Sequence, residues 1–198
     1  GAKAGTSLMS VYQNLVAGRT PKKSMAMLQE FGLGTLAMQE HATVGGKSMK
    51  EHLRFACAYW HTMRNGLSDP FGGATAQRPW DDGTDSVANA QKRVWAMFEF
   101  MQKTGIEYYC FHDRDIAPEG STFAESCRNF DEMVELAAGH QERTGVRLLW
   151  GTANLFSHPR YMAGASTNPD PEVFAWAAMQ VRDCLEATHR LGGANYVL

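Results

Sequence analysis

The chain has no CxxC pair, no surplus of either charge and no apolar run of the roughly 18 to 20 residues that a membrane-spanning helix needs. Each absence removes a class of function. With 19 basic against 21 acidic residues the net charge is −2, which excludes a protein whose affinity comes from neutralising phosphates, so no nucleic-acid partner is expected. Cys57, Cys110, Cys127 and Cys184 are scattered, and three of them sit inside apolar patterns where a reduced thiol acts as a small hydrophobe. That usage predicts a soluble protein of a reducing compartment, cytoplasmic or organellar. There is no HExxH motif or paired-carboxylate constellation, and His41, His52, His61, His140, His158 and His189 are spread singly. The sequence therefore offers no metal cluster.

What is present is enough apolar material for a core: 44% of 198 residues, sufficient for one domain or part of a larger one. Residues 1–50 carry six basic residues against Glu30 and Glu40, a charge asymmetry with the rest of the chain. A basic leader over residues 1–43, extended or helical, is expected ahead of a domain over 44–198. Its lysines suit either a solvated face or the remnant of an organellar targeting region.

The second half repeats one signal. "TGIEYYCFHD" from Thr104, "TGVRLLWGTAN" from Thr144 and "LGGANYVL" from Leu191 each place glycine before a short apolar run. This is the pattern of a helix end leading into a buried strand. Between them lie helical stripes. Val87, Val94, Met97, Phe98 and Met101 form the first, and Cys127, Phe130, Val134 and Ala137 the second, behind a Thr122–Glu125 capping box. Phe174, Ala177, Val181, Leu185 and Thr188 form the third, behind Asp170–Pro171. With "LRFACAYWHT" from Leu53 as the first strand, the order is one strand followed by three helix–strand units, the signature of parallel strands joined by crossover helices. An open doubly wound sheet would need a glycine-rich turn after the first strand, and "YWHTMRNG" is not one. A barrel built from such units fits better.

In parallel barrels the reacting groups sit where strands end. Those exits carry Trp60 and His61, then His112 with Asp113 and Asp115, then Trp150 and Thr152. His112 and Asp115 suit a base with an orienting carboxylate. The plainer alternative is a loop tied down by Asp113 or Asp115 accepting backbone amides. Trp80, Trp95 and Trp176 are read as packing, whereas Trp60 and Trp150 would give the rim an apolar wall suited to the C–H faces of a polyol. Phe71, in the Gly/Pro loop "SDPFGGA", is either a loop anchor or a contact to a neighbouring chain.

Several stretches together resemble the first half of the longer-chain xylose isomerases: "MKEHLRFACAYWHT", "DPFG", "RPWDDGTD", "YYCFHDRDIAPEG", "LLWGTANLFSHPRYMAGASTNPDPEVFAWAAMQV" and "ATHRLGGANYVL". The resemblance runs from about residue 44 to Leu198. It implies an α/β fold, an incomplete (β/α)8 TIM barrel of about four parallel strands with crossover helices. The family interconverts D-xylose and D-xylulose in carbohydrate metabolism, with two divalent ions, magnesium, manganese or cobalt, in a tetramer. By the same resemblance His112 and Asp115 match the ring-opening pair. Trp60, Trp150, Thr152 and Phe156 match pocket residues, and Phe71 the phenylalanine lent across a subunit interface.

The match has two departures. Residues 1 to about 43 do not follow the family, and the chain ends at Leu198, ahead of the family's metal ligands and substrate-side lysine. No cofactor is therefore expected on this chain alone, and no isomerisation by it. An open half-barrel would expose strand edges and apolar surface, so a partner is expected: a second half, a second copy or a larger complex. The chain then reads as a fragment needing complementation, or as a pseudoenzyme serving as accessory subunit of a larger, organellar assembly. A sugar-binding module is the third reading.

Overall fold

In the computed structural model, which describes residues 43–68 and 72–198, each glycine-led segment becomes a parallel strand. The structure divides between Arg54 and Phe55. The basic leader expected over 1–43 lies, apart from Thr43, outside the described residues, as does Phe71.

In the first part, β1 (Thr43–Val44) and β2 (Lys47–Ser48) form an antiparallel hairpin. Gly45 and Gly46 turn it with φ of 58° and 78°, the left-handed region a two-residue hairpin turn demands. Helix α1 (Met49–His52) follows, closed by a full capping box between Ser48 and Glu51.

The second part holds a four-stranded parallel sheet in the sequential order β3 (Ala56–Ala58), β4 (Tyr108–His112), β5 (Arg147–Thr152) and β6 (Asn195–Tyr196). The connections carry α2 (Val87–Thr104), α4 (Phe123–Thr144) and α5 (Pro171–Arg190), with a single turn, α3 (Asp113–Ile116), directly after β4. Right-handed crossovers between successive neighbours all lay their helices on the same side of a sheet. Here α2 packs on α4 and α4 on α5, as that geometry requires. None of the described helices is long and apolar enough to cross a membrane.

The helix boundaries follow from local chemistry. Ser86, Thr122 and Asp170 cap the amides of Asn89, Glu125 and Glu172. Gly105 and Gly145 end α2 and α4 at φ of 72° and 73°, a conformation in which any Cβ is strained. The expected Thr122–Glu125 box is half formed: Glu125 Oε2 accepts from the amide and hydroxyl of Ser121, one residue upstream of the cap.

Between helices and sheet lies the core, with Val94, Met97, Phe98 and Met101 from α2, Phe130, Met133, Val134 and Ala137 from α4, and Tyr109, Phe111 and Leu148 from the strands. All four cysteines are free thiols. A Cβ on Gly151 would stand 2.4 Å from Thr188 Oγ1 and 3.3 Å from Phe111 Cζ, so a glycine on β5 is what lets α5 approach so closely.

Three expectations give way. The first strand stops at Ala58, and Trp60–Arg64 wind into a π-helical turn. Tyr59 and Met63 are both fully buried while His61 is exposed; helical winding groups the first two on one face, where strand alternation would bury His61 with them. On α5 the buried face is Ala177, Gln180, Cys184, Ala187 and Thr188, leaving Phe174 and Leu185 51% and 43% exposed. Trp95, read as packing, is 60% exposed and makes an edge contact with His140.

Candidate functional site

The residues of "HDRD" separate into two jobs. His112 is the last residue of β4 and precedes the single turn α3, which places Asp115 one turn further on. That spacing returns the carboxylate to the imidazole, with His112 Nδ1 2.6 Å from Asp115 Oδ2. Both side chains are mostly shielded, at 14% and 18% exposed. With Nδ1–H donated to the carboxylate, Nε2 carries the free lone pair.

Asp113 does the structural work. It is 2% exposed, its Oδ1 accepts from the amides of Arg114 and Asn154, both at 2.8 Å, and its Oδ2 accepts from Gln180 Nε2 at 2.7 Å. Burial pushes its carboxyl above the ordinary value, although the Arg114 guanidinium and these donors pull the other way. Gln180 in turn accepts from the Tyr161 hydroxyl at 2.7 Å and donates to the Asn154 carbonyl at 3.1 Å. Asn154 Oδ1 accepts from the amides of Phe156 and Ser157, an Asx turn that sets the loop after β5.

Around the imidazole stand the aromatic residues. The Trp60 ring lies 4.3 Å from that of His112, and Trp150 lies 5.6 Å beyond Trp60. Phe156 meets His112 edge-on at 5.4 Å, with His61 beside Trp60 at 5.5 Å. Register pairs His112 with Thr152, so the two strand ends are level. The Thr152 hydroxyl is engaged, donating to the Val197 carbonyl at 2.5 Å. The structure thus gathers His112, Asp115, Trp60, Trp150, Thr152 and Phe156 at one end of the sheet.

Sequence reasoning missed Arg64, Asn154, Tyr161 and Gln180. Asn154 had a local signal, as an Asx residue just past a strand. Gln180 had another, a polar residue at a core-facing helical position. Arg64 had none: its carbonyl partners are some 50 residues away in sequence.

Among the described residues no three His, Cys, Asp or Glu side chains converge as a metal ion would require. The described residues do not fit a divalent-ion centre.

Fold and site together define an α/β protein with a histidine–carboxylate pair in an aromatic recess at the carboxyl edge of a parallel sheet. Comparison with known proteins goes further. The chain is 57% identical over 152 residues to a xylose isomerase of Hordeum vulgare, covering 77% of this chain and 32% of that protein. It is 54% identical over 155 residues to the xylose isomerase of Roseobacter denitrificans, covering 78% and 35%. With that of Rhizobium johnstonii it shares 56% identity over 160 residues, covering 81% and 36%. No family model matches the chain. Over nearly four-fifths of its length this chain is homologous to the xylose isomerases, and it spans about a third of the length of the curated relatives it matches.

Proposed function

We propose that this chain supplies the ring-opening part of a xylose-isomerase site, carried on part of a (β/α)8 barrel. The sequential parallel order of β3 to β6, with helices packed in succession, supports the barrel reading. The observation that carries the functional reading is the 2.6 Å contact of His112 Nδ1 with Asp115 Oδ2 inside the aromatic recess.

The chemistry follows from that contact. Asp115 holds the Nδ1 proton, so Nε2 faces the substrate as base. It takes the proton of the anomeric hydroxyl and returns one to the ring oxygen as the C1–O5 bond breaks, leaving the open-chain aldehyde with no net change in protons. Trp60, Trp150 and Phe156 pack on the sugar's C–H faces and exclude water, and Thr152 presents a hydroxyl oxygen. The resemblance gives Phe71 a place in the recess of a neighbouring copy. The family's aldose–ketose step relies on two divalent ions, a Lewis-acid contribution that the described residues have no ligand set to support. This chain alone is proposed to stop at ring opening.

A second reading rests on exposed apolar surface. Phe55, Phe174, Leu185 and Val197 are all exposed, and β3 and β6 are the sheet's edges. Exposed apolar side chains and open strand edges call for cover by a second half, a second copy or a larger complex, in which the chain serves as an accessory subunit.

The test is anomer exchange of D-xylose followed by NMR. The purified chain should accelerate exchange without forming xylulose, and His112→Asn should abolish the acceleration. No acceleration by the wild-type chain, or full acceleration by the variant, would remove the catalytic reading and leave the structural one.

A further inference from the structure

The pair at the centre of the site is held from both sides by one short segment, the π-helical turn Trp60–Arg64. Tyr59 and Met63, fully buried, anchor this turn in the core. From it Trp60 packs on His112 at 4.3 Å. Four residues later Arg64 reaches the other partner, donating from Nη1 to the carbonyls of Arg114 at 3.1 Å and Asp115 at 3.4 Å. Its Nη2 is braced by Asp85 Oδ1 at 3.6 Å.

The backbone beneath Asp115 needs such support. Helix α3 has four residues, and a helix leaves its last carbonyls without intrahelical partners. One turn is also too short to be stable alone, because nucleation fixes several dihedrals for a single hydrogen bond. Within α3 that bond is Ala117 N–H to the Asp113 carbonyl, at 3.0 Å. The Arg64 guanidinium supplies the missing donors where Asp115 is carried, and its charge suits a helix C-terminus. Wide turns of this type are frequent at functional sites.

We propose that Arg64 is a positioning residue, which holds the Asp115 carboxylate on Nδ1 of His112 by clamping the carbonyls of Arg114 and Asp115. The role rests on the reading of His112 and Asp115 as the ring-opening pair. It adds a residue from the exit of the neighbouring strand β3, acting through the backbone and not on the sugar.

The readout is the tautomer of His112, measured from its ring nitrogen shifts in the full chain at a pH where the imidazole is neutral. Arg64→Met keeps the aliphatic stem and removes the donors. It should lower the ratio of Nδ1–H to Nε2–H tautomer by about fivefold or more, the factor matching about 1 kcal/mol of lost positioning. Arg64→Lys, which restores a cationic donor, should recover most of the ratio. A folded Met variant with an unchanged ratio overturns the proposal, as does a folded Lys variant that recovers nothing. An unfolded Met variant overturns it too, by making Arg64 a determinant of the fold as a whole. No sugar is present in this measurement, so a tautomer response without effect on xylose exchange would count against the ring-opening reading alone. Normal exchange with no tautomer response would count against Arg64 alone.

Discussion

Asp113→Asn tests whether the buried network under the site supports it, because the change is nearly isosteric and removes one acceptor. If the Asn carbonyl takes the place of Oδ1, both backbone amides keep their partner, but the amide NH2 then faces Gln180 Nε2, donor against donor. Gln180 can turn over to offer Oε1, at the expense of its bonds from the Tyr161 hydroxyl and to the Asn154 carbonyl. Either way a charge-assisted bond, about 1.5–3 kcal/mol, is lost and a buried donor is left unpaired. Relief of the desolvation that raises the Asp113 carboxyl offsets part of this, so a net loss of about 2 kcal/mol at neutral pH is expected. For a chain of this size that is a fall of about 4–8 °C in Tm. The pH dependence gives a second check. A carboxyl raised in the folded state stays protonated there after the unfolded chain has ionised near 3.8, so the wild type loses stability as pH rises from that value through the folded pKa. The variant has no such loss, and the stability difference should therefore be larger in acid than at neutral pH. Chemical denaturation across that window measures it. An Asn variant as stable as the wild type at neutral pH, or a difference that grows with pH, would refute the account of the network.

Two further changes probe the packing. His140 is buried, stacked on Phe98 at 4.8 Å with Trp95 edge-on, and burial with the nearby Arg143 lowers its pKa. The unfolded chain then takes up a proton near 6.5 that the folded chain resists, so stability should fall as pH drops below that value, and His140→Leu should flatten the slope in urea melts. Gly151→Ala puts a methyl 2.4 Å from Thr188 Oγ1 and should cost about 1–3 kcal/mol, with Thr188→Ala recovering much of it in a double-mutant cycle; strictly additive effects would show that the contact does not limit the approach of α5.

The sheet was legible because each unit repeats one local grammar. A left-handed glycine ends a helix, an apolar run follows, and a capping residue restarts the helix; each step is short-range chemistry. The failures came where partners are distant. Asn89 and Arg93 lie within the stripe of α2 yet are fully buried, because Asp81 and Thr84, in the loop before the helix, accept from Asn89 and Asp81 stands 3.6 Å from Arg93. Nothing in helical periodicity reports an acceptor folded back over the helix. Phe174 and Leu185 fit a helical stripe as well as Gln180 does badly, but the face of α5 was settled by Asp113 and Tyr161, which claim Gln180.

The same logic explains what "HDRD" showed in sequence and what it did not. The spacing offered Asp115 as the partner of His112, but either aspartate suited a loop tie, and that choice depends on which one meets donors from elsewhere. Asp113, first in α3, points toward Asn154 and Gln180, whose amides consume its lone pairs. Asp115 has turned back by then and meets His112. One turn of helix between adjacent strand and loop is therefore what converts two similar acids into a fixed tie and a proton-orienting group. The tie also sets the Asn154 turn that carries Phe156, so the acid that never meets the imidazole still governs one wall around it. A substitution at Asp113 should thus reach the recess through Phe156, and one at Asp115 through the tautomer of His112, two routes that the same ring-nitrogen spectra separate.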